Sequence, residues 1–255
     1  MKSKKYRIKI IVLCFAFFGT IYSSDKIYLE KLFKEAIEFY NKTDFVSSEE
    51  GFLKILEILK NNRKISFEIF YNLGNCYYRQ NRLGLARYYY ELAKKVNYHN
   101  PDVNYNLNFI KKITNNTLED GVLDSIINIL SFKELLILTF VFNFMFFSSL
   151  IFGNFINMSV LKWIKRISLA FFVTFLFSSL VRYTKETQNI GIVVETTSLF
   201  SAPEENEFVK SVGLSESKKV VILSEKDNYF AVYIPQDKIQ GWVKKDKVKL
   251  LKIYD

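Results

Sequence analysis

The amino-acid sequence predicts a multidomain chain of three parts: an all-α helical repeat, a two-helix transmembrane hairpin and a small all-β barrel. Three observations predict it. Between Phe70 and Ala93, small and large apolar residues recur at helical spacing. Two later runs, 135–153 and 167–181, are apolar and carry no charge. From Asn189 onward the pattern changes to alternation with period two, broken by turn residues.

Composition fits that division. The chain has 255 residues and is 49% hydrophobic, enough for two small domains and membrane segments. The net charge of +10 is spread in a telling way. Lys2, Lys4, Lys5, Arg7 and Lys9 open the chain, and Lys162, Lys165 and Arg166 sit between the two apolar runs. From Tyr183 onward, 11 lysines face 11 acids. A nucleic-acid binder concentrates its excess on one folded domain. Here the excess marks membrane topology, so nucleic acid is excluded as a partner. The cysteines are Cys14 and Cys76, and the one histidine is His99. That inventory closes off thiolate metal sites and most histidine chemistry, and no cofactor is implied.

Residues 1–24 read as a secretory signal peptide, with an uncleaved N-terminal anchor as the alternative. A basic region ends at Lys9, an apolar run covers 10–18, and Gly19, Thr20, Ser23 and Ser24 follow. Residues 25–114 form the helical domain and 115–134 a linker or interfacial segment. The run 135–153 is the first transmembrane helix, about 28 Å long at helical rise. Residues 154–166 hold three cations and no acid, which makes them a cytoplasmic loop by the positive-inside rule. The second transmembrane helix is 167–182, ending at Arg182. Both flanking domains, 25–133 and 183–255, are then expected on the outer side. Asn143 falls mid-span, where a hydrogen bond to Thr174 or Ser178 and a simple protein- or lipid-facing placement are both open.

The strongest motif is FYNLGNCYYRQNRLGLARYYYELA. Phe70, Leu73, Gly74, Tyr77, Ala86, Tyr90 and Ala93 fall on the marker positions of a tetratricopeptide repeat (TPR), which the segment resembles. The small residues Gly74 and Ala86 let two antiparallel helices approach, with Asn81-Arg82-Leu83-Gly84 as their turn. A weaker unit lies upstream on Phe39, Ser48, Phe52 and Ile55, with Ala36 at its tight contact and Asp44-Phe45 at its turn. Downstream, Leu107 follows Leu73 by one repeat length, and Pro101–Ile113 reads as a capping helix. The resemblance implies a concave surface lined by Tyr71, Asn72, Asn75, Tyr78 and Arg79, joined by Tyr105, Asn106 and Phe109 from the cap. Partner contact and packing between repeats are both open roles for these aromatics. Family members that clamp a carboxylate use a basic residue where Tyr71 stands, so that activity does not carry over.

The C-terminal part, 188–255, reads as strands at Gly191–Val194, Val220–Leu223, Tyr229–Ile234 and Ile239–Val243, with Val248–Leu251 closing. Pro235-Gln236-Asp237-Lys238 makes a hairpin turn, and Ser198–Pro203 begins a long loop. The succession VVILSEKDNYFAVYI then QGWVKKDKVKLL resembles a bacterial SH3-like (SH3b) domain through Gly241-Trp242-Val243. Such domains bind cell-wall peptide or protein segments, or serve as spacers. Tyr229, Tyr233 and Trp242 are the aromatic contact candidates.

Signal, tetratricopeptide repeats, two spans and a terminal SH3b domain, in that order, resemble the BatE type of the Bat aerotolerance family. YNLGNCYY and NPDVNYNL carry that resemblance. It implies a non-enzymatic adaptor of a bacterial envelope complex. Its partners would be the membrane and other Bat-type proteins, including von Willebrand A-domain proteins, with peptidoglycan binding as the alternative role. No nucleophile elbow, phosphate loop or zinc spacing points to catalysis.

Overall fold

The computed structural model describes residues 26–116, 129–153, 159–204 and 209–253. The signal peptide or anchor expected over 1–24, and most of the expected linker, lie outside the described residues.

Five helices form an antiparallel stack: α1 (26–41), α2 (Phe45–Asn61), α3 (Phe67–Arg79), α4 (Leu83–Val96) and α5 (Pro101–Ile113). Three of the starts are capped by a side chain. The Asp44 carboxylate accepts from Ser47 N at 3.1 Å, the Ser66 hydroxyl from Ile69 N at 3.4 Å and Asn100 Oδ1 from Val103 N at 3.0 Å. Pro101 takes the first position of α5, where no N–H is needed. Thr43, Arg63, Asn81 and Asn115, just beyond helix ends, adopt left-handed φ values of 61°, 52°, 59° and 55° and turn the chain back. Phe52, Phe70, Leu73 and Tyr90 fill the core between the helices. Phe39, expected at a large core position, is instead 41% exposed.

The C-terminal part is one antiparallel sheet of seven strands. They are β1 (Ile190–Val193), β2 (Thr197–Phe200), β3 (Ser211–Leu214), β4 (Lys219–Lys226), β5 (Tyr229–Ile234), β6 (Ile239–Lys244) and β7 (Val248–Leu250). The spatial order is β3-β2-β6-β5-β4-β1-β7. Leu214 from one end of that order and Val248 from the other share a single core with Val220, Val232 and Val243, so the sheet curls around it. The long loop expected from Ser198 is a correction to the sequence reading. Residues 197–200 pair with 211–214, Phe200 opposite Ser211 and Thr197 opposite Leu214. Four-residue strands, one of them mostly exposed, are too short to show an alternating pattern.

The helical stack and the sheet are fused, not merely tethered. β1 is the reason. Val193 points into the sheet core, while Ile192 and Val194 belong to the core of the helical stack together with Leu251. A strand buried on both faces reads as a continuous apolar run, as Ile190-Gly191-Ile192-Val193-Val194 does. α4 is the matching element. Ala86, Tyr90 and Ala93 serve the helical core, and Gly84, Arg87 and Tyr88 are buried too, so the helix is enclosed nearly all round.

A polar seam runs along this contact. Gly84 N donates to Glu216 Oε2 at 2.8 Å, and Lys95 Nζ donates to the Leu251 carbonyl at 2.7 Å. Arg87, fully buried, donates through Nη1 to the carbonyl of Ser217. Asn116 Nδ2 reaches the same carbonyl at 3.2 Å, and Lys249 Nζ lies 5.6 Å from the Tyr88 ring centre. Ser217 is itself buried and left-handed at φ 67°, which turns its carbonyl toward α4 and α5.

Glu91 completes the seam, 3.7 Å from Arg87 Nη2 and 3.6 Å from Lys219 Nζ. Burial opposes its ionisation, but Lys219, Arg87, Lys111 and Lys94 outweigh that and hold its pKa at about 2. The folded-state value is depressed, so the stabilisation is complete above the ordinary carboxylate pKa of 4.5 and is lost as pH falls toward about 2. Unfolding free energies measured between those limits should fall by roughly 1 kcal/mol per pH unit. Glu91→Gln should flatten that slope, and an unchanged slope would contradict the account.

Two long helices leave this body: α6 (Phe132–Gly153) and α7 (Ser159–Glu186). Both are long and apolar enough to cross a membrane. They run antiparallel, with Phe142 stacked on Phe171 at 4.9 Å and on Phe175 at 5.4 Å. Large apolar side chains such as Phe140, Phe144 and Phe177 point outward. One expectation changes here. α7 begins at Ser159, so Lys162, Lys165 and Arg166 ride on its first turns, not in a loop spanning 154–166. A polar contact across the hairpin joins Thr139 and Ser179 at 3.1 Å, Thr174 bonds back to the Ala170 carbonyl of its own helix, and Asn143 is half-buried, within its two open placements.

Candidate functional site

The open face of the helical stack lies between α3 and α5, on the side of α4 away from the sheet. Gly74 sets its depth. A Cβ there would come within 2.6 Å of the Tyr90 ring, so only glycine lets that ring lie flat against α3. Tyr90 therefore forms the floor of a cleft of about 170 Å³, walled by Tyr78, Tyr105, Asn106 and Phe109.

The walls are organised by ring contacts. Tyr78 meets Phe109 edge-on at 6.1 Å, and Tyr105 stacks over Phe109 at 6.5 Å. Tyr105 is 70% exposed. Such a cluster of outward aromatics is a surface that offers contact area. The floor is held through the Tyr90 hydroxyl, which donates to Asn75 Oδ1 at 2.6 Å and is also met by the Asn106 side chain. Burial pushes the Tyr90 hydroxyl pKa upward, so it stays a neutral donor. No lining side chain is charged. The cleft accordingly suits an uncharged, partly apolar ligand segment. Tyr90→Phe should cost about 1 kcal/mol by stranding Asn75 Oδ1, read as a shifted denaturation midpoint.

The eight residues expected on this face divide. Tyr78, Tyr105, Asn106 and Phe109 line the cleft, and Asn75 stands behind its floor. Tyr71 is a packing residue, stacked on Phe67 at 5.8 Å and tilted against Tyr90 at 5.9 Å. Arg79 folds back over the Phe45 ring at 4.9 Å, and half-buried Asn72 is not among the lining residues. Tyr90, a marker position of the repeat in the sequence, joins the site as the floor of the cleft, and the Asn75 partner of its hydroxyl lies on a different helix, out of reach of local pattern.

On the sheet, Tyr229, Tyr233 and Trp242 come together on the outer face. β5 and β6 pair with Ala231 opposite Trp242, and Tyr229 and Tyr233 flank Ala231 on that same face. Phe200 lies opposite Trp242 and meets Tyr229 edge-on at 6.0 Å. All three candidates are half-buried, so the patch is shallow. Cys76 is buried beside the Ser48 hydroxyl at 3.3 Å. Among the described residues no three metal-ligating side chains converge.

Compared with family models the chain matches none, and compared with curated proteins it finds no match.

Proposed function

We propose that this protein is a non-enzymatic, membrane-anchored adaptor of a bacterial envelope. The carrying observation is the uncharged aromatic cleft left open on a body whose opposite side is closed by the sheet. In this reading α1–α5 are tetratricopeptide repeats with a cap, and the curled sheet is an SH3b domain. The hairpin spans the cytoplasmic membrane. Fusion of the helical stack with the sheet supports one compartment for both, and Lys162, Lys165 and Arg166 at the far end of the hairpin support the outer side for the body. The order of parts is that of BatE-type Bat aerotolerance proteins, which gives other Bat-type envelope proteins, von Willebrand A-domain proteins included, as partners.

A photo-crosslinking residue placed at Tyr105 in intact cells should trap a protein partner, and Tyr78→Ala with Phe109→Ala should abolish the adduct. Those side chains are 37% and 39% exposed and touch each other, so each truncation should cost about 1–2 kcal/mol, and retained hydrogen-exchange protection in α3 shows that the body still folds. An adduct that survives both changes would remove the cleft from the reading.

The outer aromatic patch of the sheet favours a second role, binding of peptidoglycan. Full-length protein in detergent should then sediment with purified cell-wall sacculi, and Trp242→Ala should release it. Failure of the unaltered protein to sediment ends this alternative.

A further inference from the structure

We propose that the aromatic cleft between α3 and α5 binds a proline-rich, extended segment of a partner protein. The proposal rests on the adaptor reading and gives its ligand a chemistry. Four of the five lining side chains, Tyr78, Tyr90, Tyr105 and Phe109, are aromatic, the fifth is Asn106, and none is charged. A site for a carboxylate or phosphate presents a cation to it. Arg79, the cation expected on this face, lies instead over the Phe45 ring at 4.9 Å. Recognition is left to apolar area and to neutral hydrogen bonds.

The hydrogen-bonding groups differ in what they have left to offer. The Tyr90 hydroxyl donates to Asn75 at 2.6 Å and is met by Asn106. The Tyr78 and Tyr105 hydroxyls have no hydrogen-bond partner among the described residues, and those side chains are 37% and 70% exposed. Each offers one O–H donor at the edge of a flat apolar face. A run of prolines is the complementary ligand. In the polyproline conformation its carbonyls have no internal partner, proline brings no N–H to satisfy, and its rings are apolar. An ordinary extended segment must also satisfy its N–H groups and gives up more conformational freedom on docking.

The shape agrees. Tyr78 and Phe109 stand at 79° to each other with ring centres 6.1 Å apart, a corner raised over the Tyr90 floor. The volume of about 170 Å³ is small for the face of a helix roughly 10 Å across, but suits the rings of an extended chain. Tyr105 lies beside Phe109 along α5, ring centres 6.5 Å apart and planes within 19°, and prolongs the aromatic track for the next ring. Aromatic-lined grooves of this kind are a general solution for polyproline segments, whose preset shape lowers the entropic cost of binding.

The test uses the full chain in detergent and the fluorescence anisotropy of labelled peptides with blocked ends. A peptide of repeated Ala-Pro-Pro triplets should bind at least about tenfold more tightly than an Ala-Ser peptide of equal length. Tyr78→Phe and Tyr105→Phe, which keep the rings, should each weaken it about fivefold. Tyr105→Ala removes a largely exposed ring and should weaken it further while α3 keeps its hydrogen-exchange protection. Equal binding of the two peptides, or proline binding that Tyr105→Ala leaves unchanged, overturns the proposal. Tetramethylammonium displacing the proline peptide where sodium at the same concentration does not overturns it in favour of an ammonium site. A proline peptide that fails to bind, beside a persisting protein adduct at Tyr105 in cells, overturns the proline assignment and leaves the adaptor reading standing. Absence of both removes the two together.

Discussion

Arg87→Ala should lower stability by about 3 kcal/mol and release the sheet from the helical stack. Arg87 is fully buried and gives Nη1 to the Ser217 carbonyl while its Nη2 faces Glu91 at 3.7 Å. Truncation strands both partners, but unequally. The Ser217 carbonyl keeps Asn116 Nδ2 at 3.2 Å, so its loss is small. Glu91 keeps Lys219 at 3.6 Å but sheds its buried cation, and an under-compensated buried carboxylate is the costlier outcome. The loss should therefore sit at the lower end of the roughly 3–5 kcal/mol range for a broken buried pair. In a Trp163→Phe background, Trp242 alone reports on the sheet, so its fluorescence midpoint in urea gives the measurement. A second substitution, Glu91→Leu, should return part of the loss, because removing both charges removes the desolvation cost. A single variant as stable as the parent would show that the seam is held by Ile192, Val194 and Leu251 alone.

The parts legible in the sequence are those written in local pattern. Pro101–Ile113 coincides with α5 because Asn100-Pro101 is a local start signal. The apolar runs became α6 and α7 because length and absence of charge suffice to recognise them. The fusion was not legible, since it is written across the chain: Arg87 and Ser217 lie 130 residues apart. Arg87 and Glu91 one turn apart on α4 look like an exposed helical ion pair, which is the commoner meaning of that spacing. β1 looks like any short apolar strand until something covers its second face. The cleft shows the same division. Tyr78, Tyr105, Asn106 and Phe109 follow from the face that the repeat resemblance implies, whereas Arg79 leaves that face because the Phe45 ring at the start of α2 attracts it.

Gly84 is the sharpest case, read as a turn residue and found inside the first turn of α4. A Cβ there would lie 2.6 Å from the carbonyl oxygens of both Val193 and Val194 and 2.7 Å from the Val194 carbonyl carbon. Those are backbone atoms, and no rotamer change relieves them. The two effects of Gly84→Ala then oppose each other. Alanine favours the helix by about 1 kcal/mol, while forcing β1 outward costs typically 1–3 kcal/mol. The net loss should be small, so the branched variant decides: Gly84→Val adds bulk, has the weaker helix preference and should cost about 3 kcal/mol. Its signature is local. Hydrogen exchange should rise in β1, β7 and the residues that follow them, where Ile192, Val194 and Leu251 leave the helical core, while the amides of α3 stay protected. Uniform loss of protection would mean that Gly84 serves the helix alone. Unchanged protection would mean that the sheet does not rest on α4, and with it would fall the argument that both ends of the hairpin meet in one body.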